Sequence, residues 1–179
     1  MRTASVIFSH GHLSSPTSNK IVELAPVARA RGFQVEAIDY RDLRDDPVGR
    51  VQRLIRHLEQ LDQPAVLVGS SMGGYVSLAA AEHIPVSGLF LMAPALFLEH
   101  YVDGGVVPET YHPKTRHVSI VHGWQDKVIP WRNSLKFAEQ ARARLHLLEA
   151  GHDLNECLPS IAACLKGFLH ELSMSTTSG

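Results

Sequence analysis

Two cysteines in 179 residues are too few for a disulfide framework. Cys157 and Cys164 fall on one expected helix, about two turns or roughly 10 Å apart. That is too far for a bridge, so two free thiols and a reducing compartment are expected. Basic and acidic runs are also missing, and the formal net charge is −1. Nothing here offers the electrostatic footprint of a nucleic-acid binder, and no nucleic-acid partner is expected. No apolar run reaches the length of a membrane span. Met1 to Ala4 lead straight into a short apolar stretch broken by His10-Gly11-His12, which does not read as a signal peptide. A soluble, cytoplasmic protein is the expectation. Internal repeats and low-complexity segments are lacking, apart from the Ser/Thr-rich end. What remains is an ordinary globular composition, 45% hydrophobic and 20% charged, which argues against disorder of the whole chain. The length suits one domain, taken as residues 1–172 with a flexible tail over 173–179.

Short apolar runs alternate with longer helical patterns. The runs cover 4–9, 34–38, 65–69, 88–93, 118–122 and 145–148. Several are nearly continuous, such as Ala65-Val66-Leu67-Val68, as in strands covered on both faces. Asp46-Pro47 opens one helix with a capping side chain and a proline at the first helical position. Val48, Val51, Leu54, Ile55, Leu58 and Leu61 then keep helical spacing on one face. Further helices are expected over 19–31, 72–83, 131–143 and 158–172. Pro26 should kink the first of these or shift its start. This alternation predicts a three-layer α/β/α sandwich around a parallel sheet. In such sheets ligands bind beyond the carboxyl ends of the strands.

Gly69-Ser70-Ser71-Met72-Gly73 matches G-x-S-x-G between an expected strand and an expected helix, which is the context that motif requires. A tight strand-to-helix turn lifts the serine hydroxyl clear of the sheet. Strand and helix then approach closely, and Gly69, Gly73 and Gly74 leave room for that. The register selects Ser71 over Ser70, because Val68 would be too bulky two positions before Ser70. The plain alternative is an ordinary Gly-Ser-Ser turn.

A serine hydroxyl needs a base, and the base needs an orienting carboxylate. Asp126 follows the fifth run, in the loop His122-Gly123-Trp124-Gln125-Asp126. His152 follows the sixth, in Gly151-His152-Asp153. Serine, acid and histidine thus occur in the chain order that this kind of fold uses. Alone, the aspartate reads as a capping residue and the histidine as structural. Asp39, Asp103 and Asp153 compete as the acid; Asp126 is preferred. Two donors must face the developing oxyanion. The backbone N–H groups of Met72 and His12 are the candidates, with Gly11 letting the chain turn close to the serine. A metal held by His10 and His12, joined by His122, was the competing reading. It lacks the nearby carboxylates a hydrolytic metal site wants. No metal and no cofactor is expected.

These residues resemble those of the α/β-hydrolase superfamily. The chain is similar to small bacterial esterases that open with a His-Gly loop followed by Ser-Ser-Pro, here His10-Gly11-His12-Leu13-Ser14-Ser15-Pro16. Gly69-Ser70-Ser71-Met72-Gly73-Gly74-Tyr75 is close to their elbow. The resemblance covers residues 5–172. It implies an α/β-hydrolase fold lacking its first two strands, which leaves about six parallel strands. It also implies Ser71 as nucleophile, His152 as base, Asp126 as orienter, and Met72 and His12 as oxyanion donors. His12 departs from the phenylalanine, tyrosine or glycine of many members, which implies a titratable group facing the substrate. Many relatives insert a lid where this chain has only residues 94–117, which implies a compact enzyme with little cover. Leu13 and Trp124, with Leu96, Phe97, Leu98, Tyr101, Val106, Val107 and Tyr111 of that segment, are the candidates for lining an acyl or alcohol pocket, Leu13, Leu96 and Trp124 foremost; the other reading makes the apolar residues of 94–117 packing beneath a loop. The expected function is a serine esterase or thioesterase acting on a small-molecule ester or acyl substrate. The alternatives are a non-catalytic binding protein on this fold, or an amide or carbon–carbon hydrolase using the same residues. The pattern specifies no oligomeric state.

Overall fold

In the computed structural model, which describes residues 4–176, the apolar runs and helical patterns alternate as strand and helix. The strands are β1 (Ser5–Ser9), β2 (Gln34–Ile38), β3 (Val66–Ser70), β4 (Gly88–Met92), β5 (Val118–Gly123) and β6 (Arg144–Leu148). The helices are α1 (Asn19–Arg29), α2 (Pro47–Leu58), α3 (Met72–His83), α4 (Trp131–Ala141) and α5 (Leu158–Thr176). All six strands are parallel, in the order β2-β1-β3-β4-β5-β6. This is the six-stranded α/β-hydrolase architecture expected from the sequence.

The sheet divides the core by strand alternation. Ile7, Leu67, Leu89, Leu91 and Ile120 face α2, α3 and α4. Val6, Phe8, Val66, Val68, Phe90, Met92 and Val121 face α1 and α5. Each such fully buried side chain contributes about 1.5–3 kcal/mol of transfer free energy. Strands β3, β4 and β5 are buried along their whole length, whereas the edges β2 and β6 are half exposed. That accounts for the continuous apolar runs in the middle of the sheet. Helix α2 starts as its cap residues dictate: the Asp46 carboxylate accepts the Gly49 N–H at 2.7 Å.

Three expectations need correction. Helix α1 begins at Asn19 and runs without interruption through Pro26. The carbonyl that loses its partner there belongs to Val22, an exposed residue, where water can satisfy it. Helix α5 continues past Leu172 to Thr176, so the expected boundary between domain and tail falls inside the helix. The Ser173 hydroxyl donates to the Leu169 carbonyl one turn back. The rest of that tail, 177–179, lies outside the described residues. Finally, Cys157 sits in a 3-10 turn that leads into α5 rather than in the helix itself, and both cysteines are free thiols.

The chain runs from β1 out to β2, then returns to lay β3 on the other side of β1. Strand order therefore switches between β1 and β3, and the loops leaving these two strands meet at the crevice favoured for ligands.

Candidate active site

Ser71 ends the β3-to-α3 turn with φ 54° and ψ −119°. A non-glycine residue held there costs on the order of 1–3 kcal/mol. The surroundings enforce it. The Ser71 N–H donates to the Met92 carbonyl at 2.9 Å, and the Ser71 carbonyl accepts from Gly74, Tyr75 and Ala95. A Cβ on Gly69 would collide with the Gly73 carbonyl, and one on Gly73 with the Ser9 carbonyl. A Cβ on Gly74 would lie 2.8 Å from the Pro94 Cβ. Ser70 is the last strand residue, paired with Met92 and nearly buried.

His152 Nε2 lies 3.0 Å from the Ser71 Oγ, and His152 Nδ1 lies 2.7 Å from Asp126 Oδ2. The Asp126 side chain is fully buried and that of His152 is 24% exposed. The loops that carry them are tied together: Trp124 N–H donates to the Leu148 carbonyl and Gln125 N–H to the Ala150 carbonyl. Lys20 Nζ donates to the Asp153 carbonyl, next to His152. The competing acids are engaged elsewhere. Asp39 chelates Arg41, whose hydrogen bonds hold its carboxyl down at about 2. Asp103 stands in an exposed 3-10 turn, and the Asp153 carboxylate caps the Asn155 N–H.

The Asp126 carboxylate is saturated. Oδ1 accepts the Val128 and Ile129 N–H groups, each at 2.8 Å. Oδ2 accepts from His152 and also from His122 Nε2 at 2.9 Å. Burial raises the Asp126 carboxyl, but the hydrogen bonds from His152, Ile129 and Val128 outweigh it and hold it below the ordinary value. His122 is wholly buried, and burial pushes its imidazole below the ordinary value despite Asp126. Its tautomer follows from its neighbours. The Nε2–H faces two acceptors, Asp126 Oδ2 and the Ile129 carbonyl, so Nδ1 accepts the Ser134 hydroxyl at 2.8 Å. Sequence reading had weighed His122 only as a metal ligand. The signal was its position four residues before Asp126 at a strand end.

In the loop after β1, His10 is locked between Gly11 and Tyr40. Its Nδ1–H donates to the Gly11 carbonyl at 2.8 Å, and its Nε2 accepts the Tyr40 N–H at 3.0 Å. Burial pushes its imidazole below the ordinary value. The His12 side chain turns to Asp45 at 2.6 Å. Among the described residues, neither the Met72 nor the His12 N–H is paired with a backbone acceptor. A Cβ on Gly11 would make only ordinary contacts of 3.6 Å with Ser70 and Ser71. The loop does pass close to the serine, but not because residue 11 must be glycine. Beneath it lies Arg50, fully buried, which sequence reading missed. It shares the inward stripe of α2 with Leu54 and Leu58, where an arginine is out of pattern.

A cleft of about 390 Å³ opens over Ser71 and His152. Its lining includes the apolar Leu13, Tyr101, Val128 and Ile129 and the polar Ser14, Ser18, Lys20 and Asp153. Leu13 is thus on the wall. Leu96 is not: it is fully buried in the core. Trp124 stands on the surface against Trp131, away from the cleft lining. Most of the aromatic content of 94–117 is packing. Phe97 and Tyr111 pack on each other, and the Phe97 N–H donates to the Tyr111 hydroxyl. Tyr101 alone of these reaches the cleft, stacked on Tyr75. No group of three or more His, Cys, Asp or Glu suited to a metal occurs among the described residues. The same residues contain no helix long and apolar enough to cross a membrane.

The model of the uncharacterised protein family UPF0227 matches residues 5–154. The chain belongs to that family. It is also 31% identical to a Xanthomonas campestris pv. campestris protein described as a hydrolase of the α/β superfamily, covering 94% of this chain and 99% of that one at a TM-score of 0.80. The chain is a member of the α/β-hydrolase superfamily. Est1E from Butyrivibrio proteoclasticus shares the fold at 18% identity and a TM-score of 0.80, over 97% of this chain and 89% of that one. A mouse (Mus musculus) relative, the mitochondrial palmitoyl-protein thioesterase ABHD10, is 22% identical over 78% of this chain. The chain spans 64% of that curated relative's length.

Proposed function

We propose that this hydrolase cleaves carboxylic esters or thioesters through an acyl-enzyme formed on Ser71. The observation that carries this is the unbroken hydrogen-bond chain from Ser71 Oγ through His152 to Asp126. His152 Nε2 takes the hydroxyl proton as Ser71 attacks the carbonyl carbon. The oxyanion that forms sits between the Met72 and His12 N–H groups, at the positive end of α3. The proton on His152 then passes to the leaving alkoxide or thiolate. Water attacks the acyl-serine with His152 again as base, and the acid leaves. Asp126 keeps its carboxylate charge throughout and steadies the imidazolium.

The apolar lining residues Leu13, Tyr101, Val128 and Ile129 take the acyl chain. The thioesterase name of the mouse relative supports a thioester among the substrates. The open mouth and short 94–117 segment leave Ser71 reachable by bulky substrates. An activated fluorophosphonate should label the wild type at Ser71 and leave Ser71→Ala unlabelled. A folded wild type that takes no label and turns over neither p-nitrophenyl acetate nor an acyl thioester would refute the reading.

A further inference from the structure

Arg50 is a buried cation that makes no direct ion pair among the described residues; the charge of Asp45 acts on it from a distance. Within those residues its hydrogen bonds go to backbone carbonyls: Nε to Leu43 at 2.8 Å, Nη1 to His10 and Gly11 at 3.3 Å each, and Nη2 to His12 at 3.3 Å and Arg44 at 3.2 Å. Five N–H donors meet five carbonyls, which satisfies the whole fork. The Tyr40 ring lies 5.3 Å from the guanidinium carbon. Burial pushes the guanidinium below its ordinary value, yet arginine keeps its charge in proteins. An uncompensated buried charge is costly, and an apolar side chain would fill the same space more cheaply. The arrangement therefore has to be justified by what the fork holds.

Three of its five acceptors are consecutive, and they are the loop that crosses the serine. In a planar trans peptide the N–H points opposite to the preceding carbonyl. The Gly11 carbonyl is turned towards Arg50, so the His12 N–H is turned away from it. The loop runs between Arg50 and the serine: a Cβ on Gly11 would lie 3.6 Å from the Ser71 Cβ. The side away from Arg50 is thus the side of the nucleophile.

We propose that Arg50 is a positioning residue that fixes the peptide between Gly11 and His12 with its N–H aimed at the oxyanion, and polarises it there. This rests on the acyl-transfer reading above. Without the fork, Gly11 gives that peptide the freedom to rotate, and the donor is lost for part of the time. The His10 Nδ1–H also donates to the Gly11 carbonyl, so the loss should be partial.

The test uses the full chain with p-nitrophenyl acetate as substrate, an alkyl boronic acid as tetrahedral mimic, and a fluorophosphonate to count active sites. Arg50→Met removes the fork, and Arg50→Lys keeps the charge without it. Per titrated site, kcat should fall about 10- to 100-fold in both variants, less than or equal to the loss of one full oxyanion donor, while KM stays within about twofold. Boronate affinity should fall in step with kcat/KM. Leu54→Ala, on the same inward face of α2, serves as the stability control: it should lower the melting temperature and leave kcat unchanged. If Arg50→Met does not fold, Arg50→Lys decides. Unchanged kcat and boronate affinity per active site would overturn the proposal, as would a loss matched by Leu54→Ala at equal stability. A wild type that takes no fluorophosphonate would instead sink the acyl-transfer reading.

Discussion

Replacing His122 by phenylalanine should shift the pH dependence of the enzyme. In the wild type, Asp126 Oδ2 divides its acceptor capacity between the N–H of His152 and that of His122. Removing the second donor leaves the carboxylate more basic and strengthens its hold on the imidazolium form of His152. A hydrogen bond to a charged group is worth about 1.5–3 kcal/mol. If about half of that passes to His152, the acid limb of the kcat/KM profile moves up by roughly 0.5–1 pH unit, at 1.36 kcal/mol per unit. Activity on the acid limb should therefore fall several-fold, with little change on the alkaline side of the profile. The fold also suffers, because Ser134 Oγ and the Ile129 carbonyl lose their partner inside the protein. Adding roughly 1–3 kcal/mol for such orphaned groups gives a cost of about 2.5–6 kcal/mol. At about 2–4 °C per kcal/mol for a chain this size, the melting temperature drops by around 10 °C. His122→Gln should keep the acid limb near its wild-type position, since its amide N–H can replace Nε2–H. The assay is kcat/KM for p-nitrophenyl acetate from pH 5 to 9, at a temperature where all three proteins are folded. An acid limb that does not move in folded His122→Phe would refute the shared-oxygen argument.

Asp126→Asn should lose activity and stability together. Its carboxylate faces two N–H donors on each oxygen, so an amide turns its own NH2 against one pair whichever way it lies; kcat should drop by about 10³–10⁴-fold in steady-state assays. Gly73→Ala should cost at least about 3 kcal/mol in denaturant melts, because its Cβ meets the immovable Ser9 carbonyl. Gly11→Ala, whose Cβ finds only ordinary contacts, should stay within about 1 kcal/mol. Stability should also fall in mild acid. The folded pKa values of His10 and His122 are both depressed by burial, so the unfolded chain takes up protons first. Their contribution is complete above the unfolded value of about 6.5 and is lost as pH falls from there through the folded values. Melting temperatures from pH 8 to 5 would check this, and a flat profile would contradict it.

Much of the site was legible because it depends on local backbone demands. Only small residues allow the turn at Ser71, so Gly69, Gly73 and Gly74 marked it. Ser71, Asp126 and His152 each follow an apolar strand run, and the parallel sheet brings such loops to one edge. The element boundaries failed by a few residues where no residue imposes a stop, as at α5. Pro26 was misjudged because its cost depends on whether Val22 meets water.

The sequence by itself determined the alternation of strand and helix, the serine elbow, and the chain order of serine, acid and histidine. Tertiary structure alone decided which side chains complete them. Leu96 looked like a pocket residue and is core, because apolar character does not say which side of a loop a residue faces. His122 looked like a stray ligand, and Arg50 drew no reading at all. Their partners lie across the turn that brings Ser134 back to β5 and across the 40 residues that bring α2 under the first loop. Contacts of that range are set by how the helices pack on the sheet, and residue spacing does not encode them.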